Sequence, residues 1–180
     1  MNSIRILALS SLMAAGIAVG QHPDHDMEKR GDHAMGFSHE KTTHHFRLFK
    51  DGGAIEVEAN DTNDEQSRDQ IRQHLSHIAK MFAEGNFKTP MLIHDQTPAG
   101  VEIMARHKAE ISYVFERTVR GARIRIATGN EDARSAIHDF LRFQISEHQT
   151  RDPKRVETSG TDPQIGSLDP AGKSARATIA

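Results

Sequence analysis

The first half of the chain alternates apolar and polar residues and then changes to a helical period. Residues 44–49 and 55–59 alternate on either side of a turn at 51–53, which predicts a β-hairpin. Thr62 and Glu65 have the spacing of a capping box, so we expect a helix to begin there. The apolar stripe of this helix is predicted to contain Ile71, His74, Leu75, Ile78 and Phe82.

The second half repeats this order. Residues 111–115 and 122–126 alternate on either side of a turn at 120–121, and Asn130 can cap the helix that follows. The stripe of this helix is predicted to contain Ala133, Ile137, Phe140, Leu141, Gln144 and His148.

We therefore predict an internal duplication of a ββα unit. Gly53 aligns with Gly121, and the helical alignment places Phe140 where the first copy has His74. The expected fold is α+β, with a four-stranded antiparallel sheet and helices packed on one face. If the second strands of both copies pair, Glu56 and Glu58 face the arginines of the other hairpin across the sheet.

The segment between the copies predicts less regular structure. Thr97 and Pro98 suit the first positions of a short helix. Residues 91–93 form an apolar run that fits either a strand or a buried loop.

The remaining regions give a four-part organisation. We expect a signal peptide over 1–20, a flexible His-, Asp- and Met-rich segment over 21–42, a single α+β domain over 43–148 and a disordered tail over 149–180. Both the segment after the signal and the tail are polar, and neither has an apolar stripe that could pack.

The first twenty residues have the features of an export signal. Arg5 supplies a positive charge, residues 6–19 are mostly apolar, and small residues precede the expected cleavage after Gly20. The apolar run is short for a membrane span of about 20 residues. We expect a periplasmic or secreted mature chain without a span, although retention of the signal as an anchor stays open.

Composition excludes several kinds of chemistry. The chain has no cysteine, which excludes disulfides, iron–sulfur clusters, thiolate zinc sites and covalent haem. Its 23 Lys+Arg against 25 Asp+Glu argue against nucleic-acid binding, which needs excess positive charge. Nucleophile-elbow, H-E-x-x-H, Walker and dinucleotide motifs are absent from the sequence. The remaining anomaly is histidine, of which there are twelve.

Histidine points to metal chemistry, because neutral imidazole is a frequent ligand of copper and zinc and thioether suits Cu(I). The candidate metal ligands are His33, His39, His44, His45, His74, His77 and His94. Further candidates are His138, His148, Asp95 and Met35.

His74 is the most informative candidate. It lies on an apolar stripe, where an imidazole without a partner costs roughly 1–3 kcal/mol. Metal ligation, acid–base catalysis and an ordinary core hydrogen bond all stay open for it. His44 shares the inward parity of Phe46, whereas His138 and His148 are expected on the surface of their helix.

Three motifs stand out: Arg-Gly-Asp-His-Ala-Met-Gly-Phe at 30–37, Lys-Thr-Thr-His-His-Phe at 41–46 and Ala-Ile-His-Asp-Phe-Leu-Arg-Phe-Gln-Ile at 136–145. They resemble a family of small exported His-rich bacterial proteins, some of which are labelled aspartate carbamoyltransferase. The chain is too short for the two-domain fold of that enzyme and lacks its Ser-Thr-Arg-Thr loop. The resemblance therefore implies export but no activity.

We expect an exported metal-binding protein for copper or zinc that acts as a binder, buffer or sensor. The alternatives are a periplasmic enzyme with a His/Asp site such as His94 with Asp95, a b-type haem protein using His74, and a non-catalytic partner-binding module. An enzyme is the less favoured class. A second copy, paired through a sheet edge, is the protein partner that the sequence allows.

Overall fold

A computed structural model describes residues 31–157. The expected signal peptide, the first part of the His-rich segment and residues 158–180 of the expected tail lie outside the described residues. The strands are β1 (Thr42–Phe49), β2 (Gly52–Ala59), β3 (Ile111–Arg117) and β4 (Gly121–Thr128). The helices are α1 (Glu65–Ala83), α2 (Lys88–His94), α3 (Val101–Arg106) and α4 (Glu131–Glu147).

The four strands form one antiparallel sheet in the order β1-β2-β4-β3. Side chains on one face, such as Leu48 and Ile124, are fully buried beneath the long helices. The predicted α+β fold with helices on one face is confirmed. β2 and β4 pair so that Glu56 lies directly opposite Arg123, which is the charge arrangement expected from the two hairpins.

Both long helices begin at a side chain that caps them. Asn130 Oδ1 accepts a hydrogen bond from the Ala133 N–H at 3.0 Å, as predicted. At α1 the cap is Asp64, whose carboxylate accepts from the N–H and the hydroxyl of Ser67 at 2.9 and 2.8 Å. The predicted start at Thr62 is therefore two residues too early. A carboxylate at this position also interacts favourably with the helix dipole.

The two ββα units are related by an approximate two-fold axis between β2 and β4. A Cβ on Gly52 would lie 2.3 Å from the carbonyl oxygen of Ile126, and a Cβ on Gly121 would lie 2.0 Å from that of Val57. These reciprocal close approaches make Gly52 the counterpart of Gly121. The alignment of Gly53 with Gly121 is wrong by one residue.

The helical alignment predicted from the sequence agrees with the packing. The caps Asp64 and Asn130 are equivalent, and the same shift pairs buried Ile71 with Ile137 and buried Leu75 with Leu141. The duplicated units therefore share their helix starts and their buried stripes.

The helices are exchanged between the units. α1 of the first unit packs chiefly on β3 and β4, whereas α4 of the second packs chiefly on β1 and β2. The apolar face of each hairpin is thus covered mainly by the helix of the other unit. The largest fully buried side chains in this core include Leu48, Ile71, Met104, Ile124, Ile126, Ile137, Phe140 and Leu141.

The connection between the units is largely helical. Residues 91–93, expected as a strand or buried loop, lie in α2, with Leu92 exposed and Ile93 buried. The helix α3 begins after Gly100, whose φ of 81° is left-handed, and not at the predicted Thr97 cap. Gly100 also lies too close to the Ala136 carbonyl to admit a side chain.

Regular contacts extend beyond both expected domain boundaries. Residues 31–35, assigned from sequence to the flexible segment, are helical, and Phe37 is buried. Residues 149–157, assigned from sequence to the disordered tail, run beside β1. There the N–H of Glu157 donates to the carbonyl of Leu48 at 2.8 Å.

Candidate functional site

The inward face of β1 carries an imidazole near the start of the strand and apolar side chains farther along. Phe46 and Leu48 are buried in the core, whereas His44, two residues earlier on the same face, is only partly covered. His45 points to the opposite face, as the alternation of the strand predicts. An imidazole therefore occupies the inward face where the apolar core ends.

The end of α4 places a second imidazole on His44. His148 caps α4, and its N–H donates to the Gln144 carbonyl at 2.9 Å. Its ring stacks on His44, with centroids 5.4 Å apart and 12° between the planes. His94, the last residue of α2, meets His148 edge to face at 5.1 Å. Three distant segments thus bring three imidazoles together.

A fourth imidazole joins this group through an aromatic ring. Phe37 contacts His74 of α1 edge to face at 5.6 Å and stacks on His44 at 6.2 Å. We refer to His44, His74, His94 and His148 as the histidine cluster.

Burial and mutual repulsion keep three members of the cluster neutral. Desolvation, helped by the neighbouring imidazoles, lowers the pKa of His44 to about 4 and that of His148 to about 3. Desolvation, followed by repulsion from His77, lowers the pKa of His74 to about 4. At pH 7 these rings therefore carry the free lone pairs that metal binding requires. A general base works best with a pKa near the working pH, so the same shifts disfavour acid–base catalysis by these rings.

His94 is the most buried member of the cluster, with a side chain that is 1% exposed. Its Nε2 lies 3.0 Å from Gln144 Oε1, and its Nδ1 lies 3.7 Å from Glu147 Oε2. Asp95, which the sequence suggested as a catalytic partner, is exposed and left-handed, with φ of 52°. The buried hydrogen-bond partner of His94 is Gln144.

The histidine cluster borders a cleft of about 400 Å³, a size that suits a small ligand. The cleft is lined by Gly31, Met35, His39, Thr42, Thr43, His44, Ile93, Glu147, His148, Gln149 and Thr150. At its lining, Asp32 Oδ1 lies 3.0 Å from His39 Nδ1 and accepts the His39 N–H at 2.8 Å. The carboxylate of Asp32 therefore orients the His39 ring.

The approximate two-fold axis relates the histidine cluster to a second group of rings, and these rings are phenyl and phenol in place of imidazole. The shift that pairs Gly52 with Gly121 also pairs His44 with Tyr113. Phe82 lies 5.9 Å from the ring of Tyr113, just as His148 lies beside His44.

The alignment of the two long helices adds two further pairs of equivalent positions. It pairs His74 with Phe140 and His148 with Phe82, and the rings of Phe82 and Phe140 are 5.9 Å apart. Phe87 stacks on Phe82 at 4.5 Å and closes the group. We refer to Phe82, Phe87, Tyr113 and Phe140 as the aromatic cluster.

The remaining candidates from the sequence lie outside the histidine cluster. His45 Nδ1 lies 3.0 Å from Asp152 Oδ1 on the outer side of β1. His138 was expected on the helix surface but is half-buried, and its Nε2 lies 2.9 and 3.0 Å from the Phe49 and Gly52 carbonyls at the β1–β2 turn. His33 and His77 are exposed.

Within residues 31–157, no group of three or more His, Asp or Glu side chains has an arrangement that could hold a metal ion. The donors that share the cleft are the imidazoles of His39, His44 and His148, the carboxylate of Glu147 and the thioether of Met35. This donor set combines imidazole nitrogen with a carboxylate and a thioether sulfur.

The sequence prediction undervalued His148. It was expected on the helix surface, yet it is half-buried against His44. The signal was present, because the alignment that pairs His74 with Phe140 also pairs His148 with Phe82. Gln144 was placed on the apolar stripe of its helix, but nothing in the sequence linked it to His94, and no comparable signal indicated Phe37 or Asp152.

No family model, curated protein or solved structure matches the chain. The family resemblance drawn from the three motifs therefore stays a prediction. No helix within residues 31–157 combines the length and apolar character needed to cross a membrane.

Proposed function

We propose that this protein binds a transition-metal ion, copper in preference to zinc, in the cleft beside the histidine cluster. The observation that carries the proposal is the equivalence of the two clusters. Three positions that hold phenyl or phenol rings in the aromatic cluster hold imidazoles in the histidine cluster, and two of these imidazoles line a cleft. Burying imidazole in place of phenyl costs stability, so packing alone gives no reason for the difference.

The choice of metal follows from the donor atoms. His44 and His148 are neutral at pH 7 because their pKa values are lowered, so protons compete little for their lone pairs. Met35 adds a thioether, a ligand that selects Cu(I) among the biological first-row ions. Asp32 orients His39 in the way that carboxylates orient metal-binding imidazoles elsewhere.

The proposed role is binding, buffering or sensing of the ion outside the cytoplasm. The support for this location is the export-signal pattern of residues 1–20. Fractionation of cells that express the full chain checks it, since recovery of an uncleaved protein in the cytoplasm would contradict the location.

The test is a titration of the untagged mature chain, from Gln21 onward, with Cu(I) and Zn(II) against chromophoric competitors. We expect a dissociation constant for Cu(I) below about 10 µM. The double variant His44→Tyr, His148→Phe should weaken it at least tenfold, which corresponds to about 1.4 kcal/mol. These substitutions introduce the residues found at the equivalent positions of the aromatic cluster, so we expect the variant to fold.

Two controls separate the cleft from other histidines. His107→Gln removes an imidazole that lies 2.8 Å from Glu110, outside the cleft lining, and should leave the affinity unchanged. A variant with alanine at His22, His25 and His33 tests whether the His-rich segment at 21–42 binds the metal. The proposal fails if neither metal binds more tightly than about 10 µM, or if only this triple alanine variant loses binding.

A second candidate is acid–base catalysis, which the Asp32–His39 pair at the cleft favours. A carboxylate that fixes one imidazole nitrogen leaves the ring oriented for proton transfer. Hydrolysis of an activated ester that is unaffected by chelators and abolished by His39→Gln would support it. Equal background rates for wild type and variant would exclude His39 as the base for that reaction.

A further inference from the structure

Residues 149–157 form a strap along the outer edge of the sheet. The chain leaves α4, crosses the start of β1 and then runs parallel to it, so that Glu157 pairs with Phe49. Val156 packs against the core, and Arg142 Nε donates to the Lys154 carbonyl at 3.1 Å. The strap therefore occupies an edge of β1 that would otherwise present unpaired backbone groups.

A single carboxylate connects the strap to the strand that carries His44. Asp152 Oδ2 accepts the Phe46 N–H at 2.9 Å and the Thr150 hydroxyl at 2.7 Å, while Oδ1 lies 3.0 Å from His45 Nδ1. The side chain of Asp152 is only 11% exposed. Hydrogen bonds to a buried carboxylate are stronger than neutral ones, so this contact is the main polar anchor at the start of the strap.

The residues at the start of the strap line part of the cleft. His148, Gln149 and Thr150 line the cleft, and Asp152 follows two residues later. Gln149 and Arg151 have φ of 50° and 64°, which is left-handed backbone that side-chain-bearing residues rarely adopt. The turn that brings the strap from the cleft to β1 therefore contains two unfavourable backbone positions, which the bonds of Asp152 help to offset.

We propose that residues 149–157 are a latched strap that controls access to the cleft, with Asp152 as the latch. When the bonds to Phe46 and His45 break, Gln149 and Arg151 relax to extended backbone and the strap swings away from β1. Thr150 and Gln149 then leave the cleft lining, and a ligand can enter or leave. The movement itself does not depend on the proposed metal function, whereas the consequence for ligand exchange rests on it.

Limited trypsin digestion tests the movement. Lys154 and Arg155 are exposed, but their backbone is held against β1 and α4 and is protected while the strap is latched. Asp152→Ala should accelerate cleavage after Arg155 at least about tenfold, because cleavage follows the population of the open form. Cleavage after Arg155 is the measurement because residue 152 is not adjacent to that bond. Asp152→Asn, which keeps one acceptor oxygen, should give an intermediate rate.

The matched control is Asp64→Ala. Asp64 also accepts a backbone N–H and a hydroxyl, but at the start of α1, so it reports the effect of losing similar bonds without touching the strap. We expect Asp64→Ala to leave cleavage after Arg155 within about twofold of wild type. Equal acceleration in both variants, or no acceleration in Asp152→Ala, would overturn the latch.

The second readout is the rate of Cu(I) transfer from the loaded mature chain to a chelator in excess. Asp152→Ala should raise this rate at least about fivefold, although Asp152 is not among the residues lining the cleft. If the wild type binds no copper, the proposed function fails and the protease result alone decides the latch. If copper binds but its transfer rate is the same in both proteins, the strap does not gate the cleft.

Discussion

The aromatic and histidine clusters occupy places that the approximate two-fold axis makes equivalent, and each is formed by residues of both ββα units. Phe82, Tyr113 and Phe140 fill one end of the core with phenyl and phenol rings, whereas a cleft lies beside His44 and His148 at the other. Burial raises the pKa of Tyr113 and lowers that of His44, so both rings are held uncharged. Only the imidazole, however, gains an available lone pair as a result.

The comparison separates what the fold needs from what a site needs. The aromatic cluster shows that rings at these positions are sufficient to close the end of a unit. The histidine cluster keeps planar rings at these positions but replaces phenyl and phenol with imidazole. Duplication therefore allows one end of the core to retain the packing while the equivalent end diverges, and substitutions that exchange the two chemistries test this view directly.

The largest expected effect is on folding, and it should fall on only one cluster. Phe82→Ala should destabilise the protein by about 3–5 kcal/mol, since it empties a site that is 2% exposed. His148→Ala should cost about 1 kcal/mol or less, because its ring already borders the cleft. Urea denaturation at pH 7.5 measures both, and equal losses would contradict the division into a structural and a functional cluster.

The second-largest effect should be a loss of folding stability at acid pH, caused by the histidine cluster. The pKa values of His44 and His74 fall from 6.5 in the unfolded chain to about 4 in the folded protein. Between these values the unfolded state binds more protons, so stability is full above pH 6.5 and falls as the pH drops toward 4. A shift of one unit corresponds to about 1.4 kcal/mol, and we expect a combined loss on the order of 3 kcal/mol after allowing for solvent in the cleft.

The control for this prediction exchanges the cluster for its counterpart. The triple variant His44→Tyr, His74→Phe, His148→Phe should lose most of the pH dependence, because it removes the groups that titrate. A slope that persists in the triple variant between pH 6.5 and 4 would assign the acid sensitivity to other residues.

A smaller effect is expected in the opposite direction at neutral pH. The same triple variant should be more stable than wild type by about 0.5–1.5 kcal/mol at pH 7.5, because buried phenyl replaces buried imidazole. The thermal midpoint of unfolding measures the gain. A marked loss of stability would show that the two ends of the core have diverged in shape as well as in chemistry.

The smallest effect should appear on the outer face of the sheet, where the hairpins also differ. Glu56 lies opposite Arg123 in the pairing of β2 with β4, but it is partly exposed. Glu56→Gln should therefore change stability by less than about 0.5 kcal/mol. Chemical denaturation at low and high salt measures it, and a larger, salt-independent loss would mean that this pair does more than favour the register.

Much of the fold could be predicted from the sequence because burial imposes its period on the chain. Strand alternation placed His44 inward, and the helical stripe placed His74 opposite Phe140 in the alignment. The alignment of Gly53 with Gly121 failed because it matched two Gly-Ala pairs by identity. The inward residues Ile55 and Val57 correspond to the inward residues Ile124 and Ile126, and this requires a shift that is one residue longer.

The site was less predictable, because its contacts join distant segments. Asp152 contacts His45 across 107 positions, and His148 reaches His44 only because α4 packs on the first hairpin. Neither local propensity nor periodicity contains this information. Periodicity could assign a residue to the inward face of its strand or helix. Which helix then packs on which hairpin depends on the exchange of helices between the units.

That exchange has a consequence for how such a chain can arise and fold. A lone ββα unit would expose the apolar side of its own hairpin, since the helix that covers it comes mainly from its twin. The ancestral half is therefore expected to have been a two-fold homodimer, which gene fusion later converted into one polypeptide. By the same reasoning, residues 31–106 and 107–157 produced as separate fragments should fold only when mixed.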